Sequence, residues 1–475
     1  MKTIFKSIVE KRAEVFIFIF VLAVIAFMYN GFQDNYFYSD DFEWLSRAVL
    51  AQSPADSLME IFKIEGRDFN PVFVTLLSII VRFFGLSPLA FRLISVLTFS
   101  SVIFMFFFIL FRYFKVNRII ALSAAVLFGL NVYLSEVVLN LAALVYSLSL
   151  LLFLIAVKYY LDGKRTLFLV FLFLSVFTKE TVILGFIPLF TFEKEKRKRW
   201  FLAASIFGMA AIRGILQLML AGTGTYTGFL TVSDFFVKFY YIVLKTMNIS
   251  PYTMHPVVGV VIIILVIAVA MYFIISKKVG KLRQGFLFFF LFFVVFSLFL
   301  SLLPKLSSRY FFYPAPGFWG LAALMTHYFY QDNKKLKYIL VPLVLISILF
   351  NYPMIKREIG DYKILGNFSR EFIQRQAVVI KEAAGKEIKT SEIILYKLNR
   401  QPLADVHARV KRRGNLPKLL PFREHGIGGV IEPRHLVPLV FYPHDIVRWQ
   451  QIKETPNYFT GAFDELGRHS AIDQK

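Results

Sequence analysis

The feature that most constrains this chain is a succession of long apolar runs separated by short clusters of lysine and arginine. A helix needs about 20 apolar residues to cross a bilayer. Here such runs recur along the first three quarters of 475 residues, in a sequence that is 57% hydrophobic and holds 56 Phe. Backbone polar groups in lipid must be satisfied internally, so only helices or a closed barrel can span. The runs are continuous rather than alternating, which selects helices. The formal net charge of +23 would suggest nucleic acid in a soluble chain. Most of that excess sits beside the apolar runs, where orientation and anionic headgroups account for it better, so no nucleic-acid partner is expected. There is no Cys, which excludes disulfides, thiolate nucleophiles and Cys-ligated metals.

Met1–Arg12 carries Lys2, Lys6, Lys11 and Arg12, and no small-residue cleavage site follows the first apolar run. It reads as a cytoplasmic start followed by a retained anchor, over roughly Val15–Asn30. Residues 31–90 form a first outer loop of mixed polarity. Ser53 and Asp56 look like helix starts, with Pro54 at a permitted first-turn position. Pro71–Phe84 is apolar but short, and is expected as a juxtamembrane or re-entrant helix. Further spans are expected near Phe91–Phe111, Ile119–Tyr133, Leu139–Val157, Leu167–Phe177, Val182–Phe192, Phe201–Leu220, Pro256–Ile275, Phe286–Leu303, Phe311–Tyr330 and Tyr338–Tyr352.

With the anchor, this makes about eleven spans. The basic clusters Arg112/Lys115/Arg118, Lys158/Lys164/Arg165, Lys194–Arg199, Lys277–Arg283 and Lys334–Lys337 then all fall inside, and the outer loops are poor in Lys and Arg. Residues 353–475 are charged and lack a span. They read as a small α/β domain on the outer face, with a helix near Phe368–Ala384 and strands near Glu392–Tyr396 and Gly428–Ile431. The fold class is thus a polytopic α-helical membrane protein: a transmembrane module over 1–352 and an extracytoplasmic domain over 353–475.

Several polar groups at the outer ends of these spans are not needed for insertion. Asp40 and Asp41 sit just beyond the first span, in Ser39-Asp40-Asp41-Phe42-Glu43-Trp44. A carboxylate there can act as a general base on a hydroxyl or coordinate a divalent ion; a solvated acidic loop is the bland alternative. Glu136 is an isolated acid in the second outer loop, and an isolated charge at a membrane boundary needs a partner or water. Lys179 and Glu180 form a turn between two short runs that is drawn towards the headgroup level; they are a phosphate-binding group or merely a turn pair. Arg309 and Tyr310 lie on the outer side against the charge bias, as do Arg67 and Asp68, and Arg can grip phosphate with two parallel hydrogen bonds. His255 is a lone histidine before Pro256, more often structural than a ligand. No zinc cluster, phosphate-cradling glycine loop or nucleophile elbow is present. Acids suited to a hydroxyl and cations suited to a phosphate, on one face, point to group transfer from a phosphorylated lipid.

The layout resembles the GT-C superfamily of polyprenyl-phosphate-sugar glycosyltransferases, in particular its protein O-mannosyltransferase and aminoarabinose transferase branch. The resemblance is carried by Ser39-Asp40-Asp41-Phe42-Glu43-Trp44-Leu45, by Pro71 with Phe84-Gly85-Leu86-Ser87 and Arg92-Leu93, by Thr178-Lys179-Glu180 and by Arg309-Tyr310-Phe311-Phe312-Tyr313-Pro314. It covers about residues 1–330; the Asp-Asp pair replaces the commoner Asp-Glu, and Glu136 matches a family Asp by position only. The resemblance implies a transferase of the inner (plasma) membrane. It would take a sugar from a polyprenyl-phosphate (undecaprenyl-type) donor to a glycan, lipid or protein acceptor on the outer face, by inversion. Asp40 would be the base and Asp41 a supporting or metal-binding acid. Lys179, Arg309, Tyr310 and Arg67 would bind donor phosphate, with Glu136 and Glu180 as accompanying acids. No cofactor is required; a divalent cation at Asp41 or His255 stays an alternative. A flippase or transporter of a lipid-linked intermediate would instead place charges mid-membrane and show inverted repeats. A non-catalytic envelope assembly protein would depend on residues 353–475 rather than on Asp40.

Overall fold

The computed structural model describes residues 2–37, 41–51, 61–62, 69–221, 231–251, 254–276, 280, 282–303, 307–385, 394–397, 459–463 and 469–470. The expected helix starts at Ser53 and Asp56, together with Asp40, Arg67, Asp68 and the strand at Gly428–Ile431, lie outside the described residues. The described chain is helical almost throughout. In order come α1 (Lys2–Met28), α2 (Asp41–Leu50), α3 (Pro71–Phe84), α4 (Pro88–Arg112), α5 (Arg118–Gly129), α6 (Glu136–Leu139), α7 (Leu144–Leu161) and α8 (Arg165–Thr178). A 3-10 helix, Glu180–Phe192, follows. Then come α9 (Lys196–Ala221), α10 (Val232–Thr246), α11 (Pro256–Ile275), α12 (Arg283–Ser301), α13 (Ala315–Asp332) and α14 (Lys337–Gly385).

All eleven segments expected as spans are helical, but six helices among the described residues are long and apolar enough to cross a membrane on their own. They are α4, α7, α9, α11, α12 and the first part of α14; the pair Arg118–Gly129 and Val132–Leu139, bent by 58°, makes a seventh if counted as one span. Helices α3 and α8 and the 3-10 helix Glu180–Phe192 are apolar but shorter. Length is what sets these shorter helices apart. Fourteen residues in α8 rise about 21 Å at 1.5 Å per residue, well short of a hydrocarbon core of about 30 Å. The 3-10 helix contains Pro188, which lacks the amide an α-helix would use. Pro71–Phe84 forms the expected helix, α3, with Pro71 at its start.

Beyond residue 352 the expectation of a separate domain meets a different geometry. Helix α14 runs unbroken for 49 residues to Gly385, so the helix expected at Phe368–Ala384 is the continuation of the last span. Three short strands are described, β1 (Ile394–Lys397), β2 (Phe459–Phe463) and β3 (His469–Ser470). They pair in the order β1-β2-β3, the first two parallel with Ile394 opposite Phe459, the last two antiparallel.

Phenylalanine fills the core between helices. Phe106 meets Phe128 and Phe289 edge-on at 5.6 and 6.2 Å, and Phe114 lies 4.8 Å from Phe289. Such pairs contribute about 0.5–1.5 kcal/mol each beyond the area they bury. Helices α12 and α13 approach closely because Gly317 faces the α12 backbone: a Cβ there would sit 2.6 Å from the Phe293 nitrogen. Small residues at such crossings let helices pack in lipid, where no hydrophobic force drives them together. Gly317→Leu should therefore lower the thermal unfolding midpoint in detergent, with overpacking costing about 1–3 kcal/mol or more. Gly208→Leu, where nothing lies within 4 Å of the added carbon, should leave the midpoint unchanged.

Candidate functional site

The sequence-expected residues that are described gather at one end of the bundle, around the connection between α5 and α7. This connection begins with Asn131. Its side-chain amide donates to the carbonyls of Lys245 and Thr246 at 2.8 and 3.1 Å, and its oxygen accepts from the Tyr133 amide. The connection is thus fastened to the end of α10.

Glu136, five residues later, is the half-buried carboxylate that holds the Arg309 turn. It accepts from the Ser307 hydroxyl at 3.0 and 3.2 Å, from the Ser308 hydroxyl, and from the Arg309 backbone amide at 3.0 Å; the Arg309 Nε lies 3.7 Å away. It therefore caps the 3-10 helix Ser308–Phe312, whose first amides have no partner within the helix. Below this turn Phe311, Phe312 and Tyr313 are buried. Phe312 stacks between Phe99 and Phe128, and the Tyr313 hydroxyl meets that of Ser149 at 2.8 Å. The aromatic run that follows Arg309 is thus an anchor, and it leaves Arg309 and Tyr310 at the boundary.

Asp41 is fully enclosed. Its Oδ1 accepts from the Ala142 amide at 2.9 Å, and its Oδ2 lies 3.6 Å from the Arg92 guanidinium. Arg92, also buried, donates to the carbonyls of Asn35 and Tyr36 at 3.3 and 3.0 Å and packs over Phe37. The sequence Asp-Phe-Glu-Trp-Leu continues as amphipathic α2, which packs on α3 through Trp44 and Phe73 and carries the buried Arg47 over the Trp44 ring. Helix α14 packs against Tyr36, whose carbonyl Arg92 holds. A Cβ at Gly366 would lie 2.8 Å from the Tyr36 nitrogen, and Arg370 sits 4.9 Å over the Tyr36 ring.

Tyr146, near the start of α7, brings Lys179 and Arg309 together. Lys179 Nζ lies 6.0 Å from its ring centroid and Arg309 Cζ 5.7 Å, while Tyr310 and Tyr313 flank the ring at 5.5 and 5.7 Å. Lys179 is paired with Glu180 at 3.2 Å. Glu180 is in turn gripped by Arg213 of α9 at 2.5 Å. Arg213 also donates to the carbonyls of Phe69 and Val176 and to Asn70 Oδ1, and lies over the rings of Phe69 and Phe177.

Glu136, Lys179, Glu180, Arg309 and Tyr310 thus form one cluster, and Asp41 is tied to the chain segment that supplies Tyr146. His255 stands apart, exposed at the start of α11. Asp40 and Arg67 lie outside the described residues. Asp41 is engaged by an amide and a guanidinium, and among the described residues no three His, Asp or Glu side chains group as a metal site would require.

Tyr146, Arg213 and Lys245 were not expected. Arg213 had a signal, because it is the single charge in the apolar stretch 200–230. Tyr146 had none, since an aromatic in an apolar run reads as core. Lys245 is fully buried at the end of α10, with Nζ 5.1 Å from the Phe311 ring and 5.2 Å from that of Tyr133. Burial pulls its pKa from 10.5 down to about 7, against the opposing pull of Glu358 and Glu136.

No protein-family model and no curated protein matches the chain. Two solved structures are similar in fold. ArnT from Cupriavidus metallidurans bound to undecaprenyl phosphate is 14% identical over 85% of each chain, with a TM-score of 0.48. ArnT from the same organism in the apo state is 13% identical over 96% of this chain and 94% of that one, with a TM-score of 0.49. Both likenesses are weak, and neither carries the functional reading below.

The buried charges yield two expectations. Arg92→Met leaves Asp41 enclosed without its guanidinium and should cost about 3–5 kcal/mol of stability, read as a lower thermal midpoint in detergent. For Lys245 the unfolded chain holds a proton between about pH 7 and 10.5 that the folded chain releases. The unfolding midpoint should therefore rise with pH across that window and stay flat below it, and Lys245→Met should remove the rise.

Proposed function

We propose that this chain is a multi-pass membrane glycosyltransferase that takes a sugar from a polyprenyl-phosphate donor and delivers it to an acceptor hydroxyl at the outer face of the plasma membrane. The observation that carries the reading is the convergence of Lys179 and Arg309 on Tyr146, on the same chain segment that anchors Asp41 through Ala142. Two cations beside an aromatic ring suit a phosphate whose sugar lies against the ring. Asp41 is engaged by Arg92 and Ala142, and the base is assigned to its neighbour in sequence, Asp40.

Asp40 accepts the acceptor's hydroxyl proton. The acceptor oxygen attacks the anomeric carbon in line, the bond from that carbon to the phosphate oxygen breaks, and the electron pair leaves with the polyprenyl phosphate. The sugar is transferred with inversion. Lys179 and Arg309 stabilise the charge that grows on the leaving phosphate, with Arg67 and Tyr310 as further donors. Asp41 supports the loop, and Glu136 and Glu180 orient the cations. The low dielectric at the mouth of the bundle strengthens these contacts.

Asp40→Asn in purified full-length protein should abolish sugar transfer while insertion, thermal midpoint and binding of undecaprenyl phosphate stay near those of the parent. Lys179→Gln should weaken undecaprenyl phosphate binding by about tenfold or more, as loss of one charge-assisted hydrogen bond does. Transfer retained by Asp40→Asn would overturn the mechanism.

A further inference from the structure

Tyr146 lies in the first turn of α7, in an apolar run where leucine is the commonest residue and nothing local calls for tyrosine. Its side chain is buried. The backbone that carries it is fixed on both sides. Its carbonyl accepts from the Ser149 hydroxyl at 3.0 Å, and that hydroxyl also meets the hydroxyl of Tyr313 at 2.8 Å. Just before it in the chain, the Ala142 amide donates to Asp41 at 2.9 Å. The ring is therefore a fixed part of this cluster, whereas Lys179 and Arg309 are long side chains with much rotamer freedom.

Lys179 Nζ and Arg309 Cζ lie over this ring, 6.0 and 5.7 Å from its centroid. They come from turns far apart in the sequence. Lys179 pairs with Glu180 at 3.2 Å and Arg309 with Glu136 at 3.7 Å, contacts that tie each cation to its own part of the chain. The Tyr146 ring is a contact that the two cations share. Tyr310 meets the same ring edge-on at 5.5 Å, and Tyr313 is tilted against it at 5.7 Å, so its plane is set by packing. An aliphatic side chain would fill this space at the start of α7 and offer the cations nothing. An aromatic face carries negative potential and attracts Lys and Arg at these distances, more strongly where water is excluded. It also offsets the repulsion between two like charges gathered in one place, and it restricts two side chains whose ordering would otherwise oppose ligand binding.

We propose that Tyr146 is a positioning residue for the lipid-phosphate site, whose ring gathers Lys179 and Arg309 by cation–π attraction before the anionic ligand arrives. The proposal rests on the reading of Lys179 and Arg309 as phosphate-binding groups. It assigns the effect to the electron-rich face of the ring and not to the tyrosine hydroxyl, so phenylalanine can replace Tyr146 and leucine cannot.

The test measures the affinity of the purified full-length chain for undecaprenyl phosphate in the parent, in Tyr146→Phe and Tyr146→Leu, and in two forms that carry para-fluorophenylalanine or trifluorophenylalanine at position 146. Fluorine withdraws electron density from the ring face with little change in size, so a role in packing alone does not respond to it. Tyr146→Phe should bind within about threefold of the parent, and Tyr146→Leu about tenfold more weakly. Affinity should fall stepwise from the phenylalanine form through the monofluoro to the trifluoro ring, the last about fivefold or more below the first. If the trifluoro form binds like Tyr146→Phe, the ring only fills space and the proposal falls, a result that holds even where Tyr146→Leu does not fold. If Tyr146→Phe binds as weakly as Tyr146→Leu, the hydroxyl carries the effect and the proposal falls as well. Lys179→Gln and Arg309→Gln read the underlying assignment. If both bind like the parent, the phosphate reading itself fails, whatever the ring variants show.

Discussion

A charge enclosed among apolar helices must have a partner, and the short helices of this chain carry charges at their ends. Helices α5 and α8 rise about 18 and 21 Å, against about 30 Å of hydrocarbon. Their ends carry Asn131 and the Lys179–Glu180 turn. Three acids at this end of the bundle are each shared between two or more donors. Glu136 takes two hydroxyls, an amide and a guanidinium; Glu180 takes a lysine and an arginine; Asp41 takes an amide and a guanidinium. This rule of shared carboxylates shapes both the fold and the candidate site.

One consequence is that the connection from Asn131 to Tyr146 becomes the hub of the molecule. It reaches α10 through Asn131, the Arg309 turn through Glu136, the first loop through the Ala142 amide, and the cations through the Tyr146 ring. Acidic and cationic groups from opposite ends of the chain meet on a piece of backbone about fifteen residues long, which suits a site that must hold an anion and a base in fixed relation. A second consequence is that Asp41, in contact with Arg92 and Ala142, ties the start of α2 to the bundle.

Much of the helical layout could be read from the chain. Period and length in the apolar runs placed a helix at each of the eleven expected segments, and the juxtamembrane helix at Pro71–Phe84 has the expected limits. The number of full spans was harder, because composition does not distinguish a 14-residue helix that stops short from one that crosses. The tail was harder still: nothing local marks the point at which α14 leaves the membrane and continues to Gly385. In the site, Arg309 stood out because it runs against the expected charge bias, and Lys179 because it sits in a turn between two short apolar runs. Arg213 could have been found by the same reasoning applied to the apolar stretch around it. Tyr146 could not, since an aromatic that bridges two cations looks in sequence like any other core residue.

What the amino-acid order determined by itself was therefore helix type, approximate limits and the end of the bundle where polar groups gather, because hydrophobic periodicity and charge bias are local properties of a chain in lipid. What only the tertiary structure decided was partnership. Glu136 proved to be the cap of a turn some 170 residues away, and Asp41 the partner of Arg92. Glu180 proved to be divided between Lys179 and Arg213. Those choices depend on which helix ends meet in space, and a carboxylate's charge is directed by its neighbours in three dimensions rather than by its neighbours in sequence.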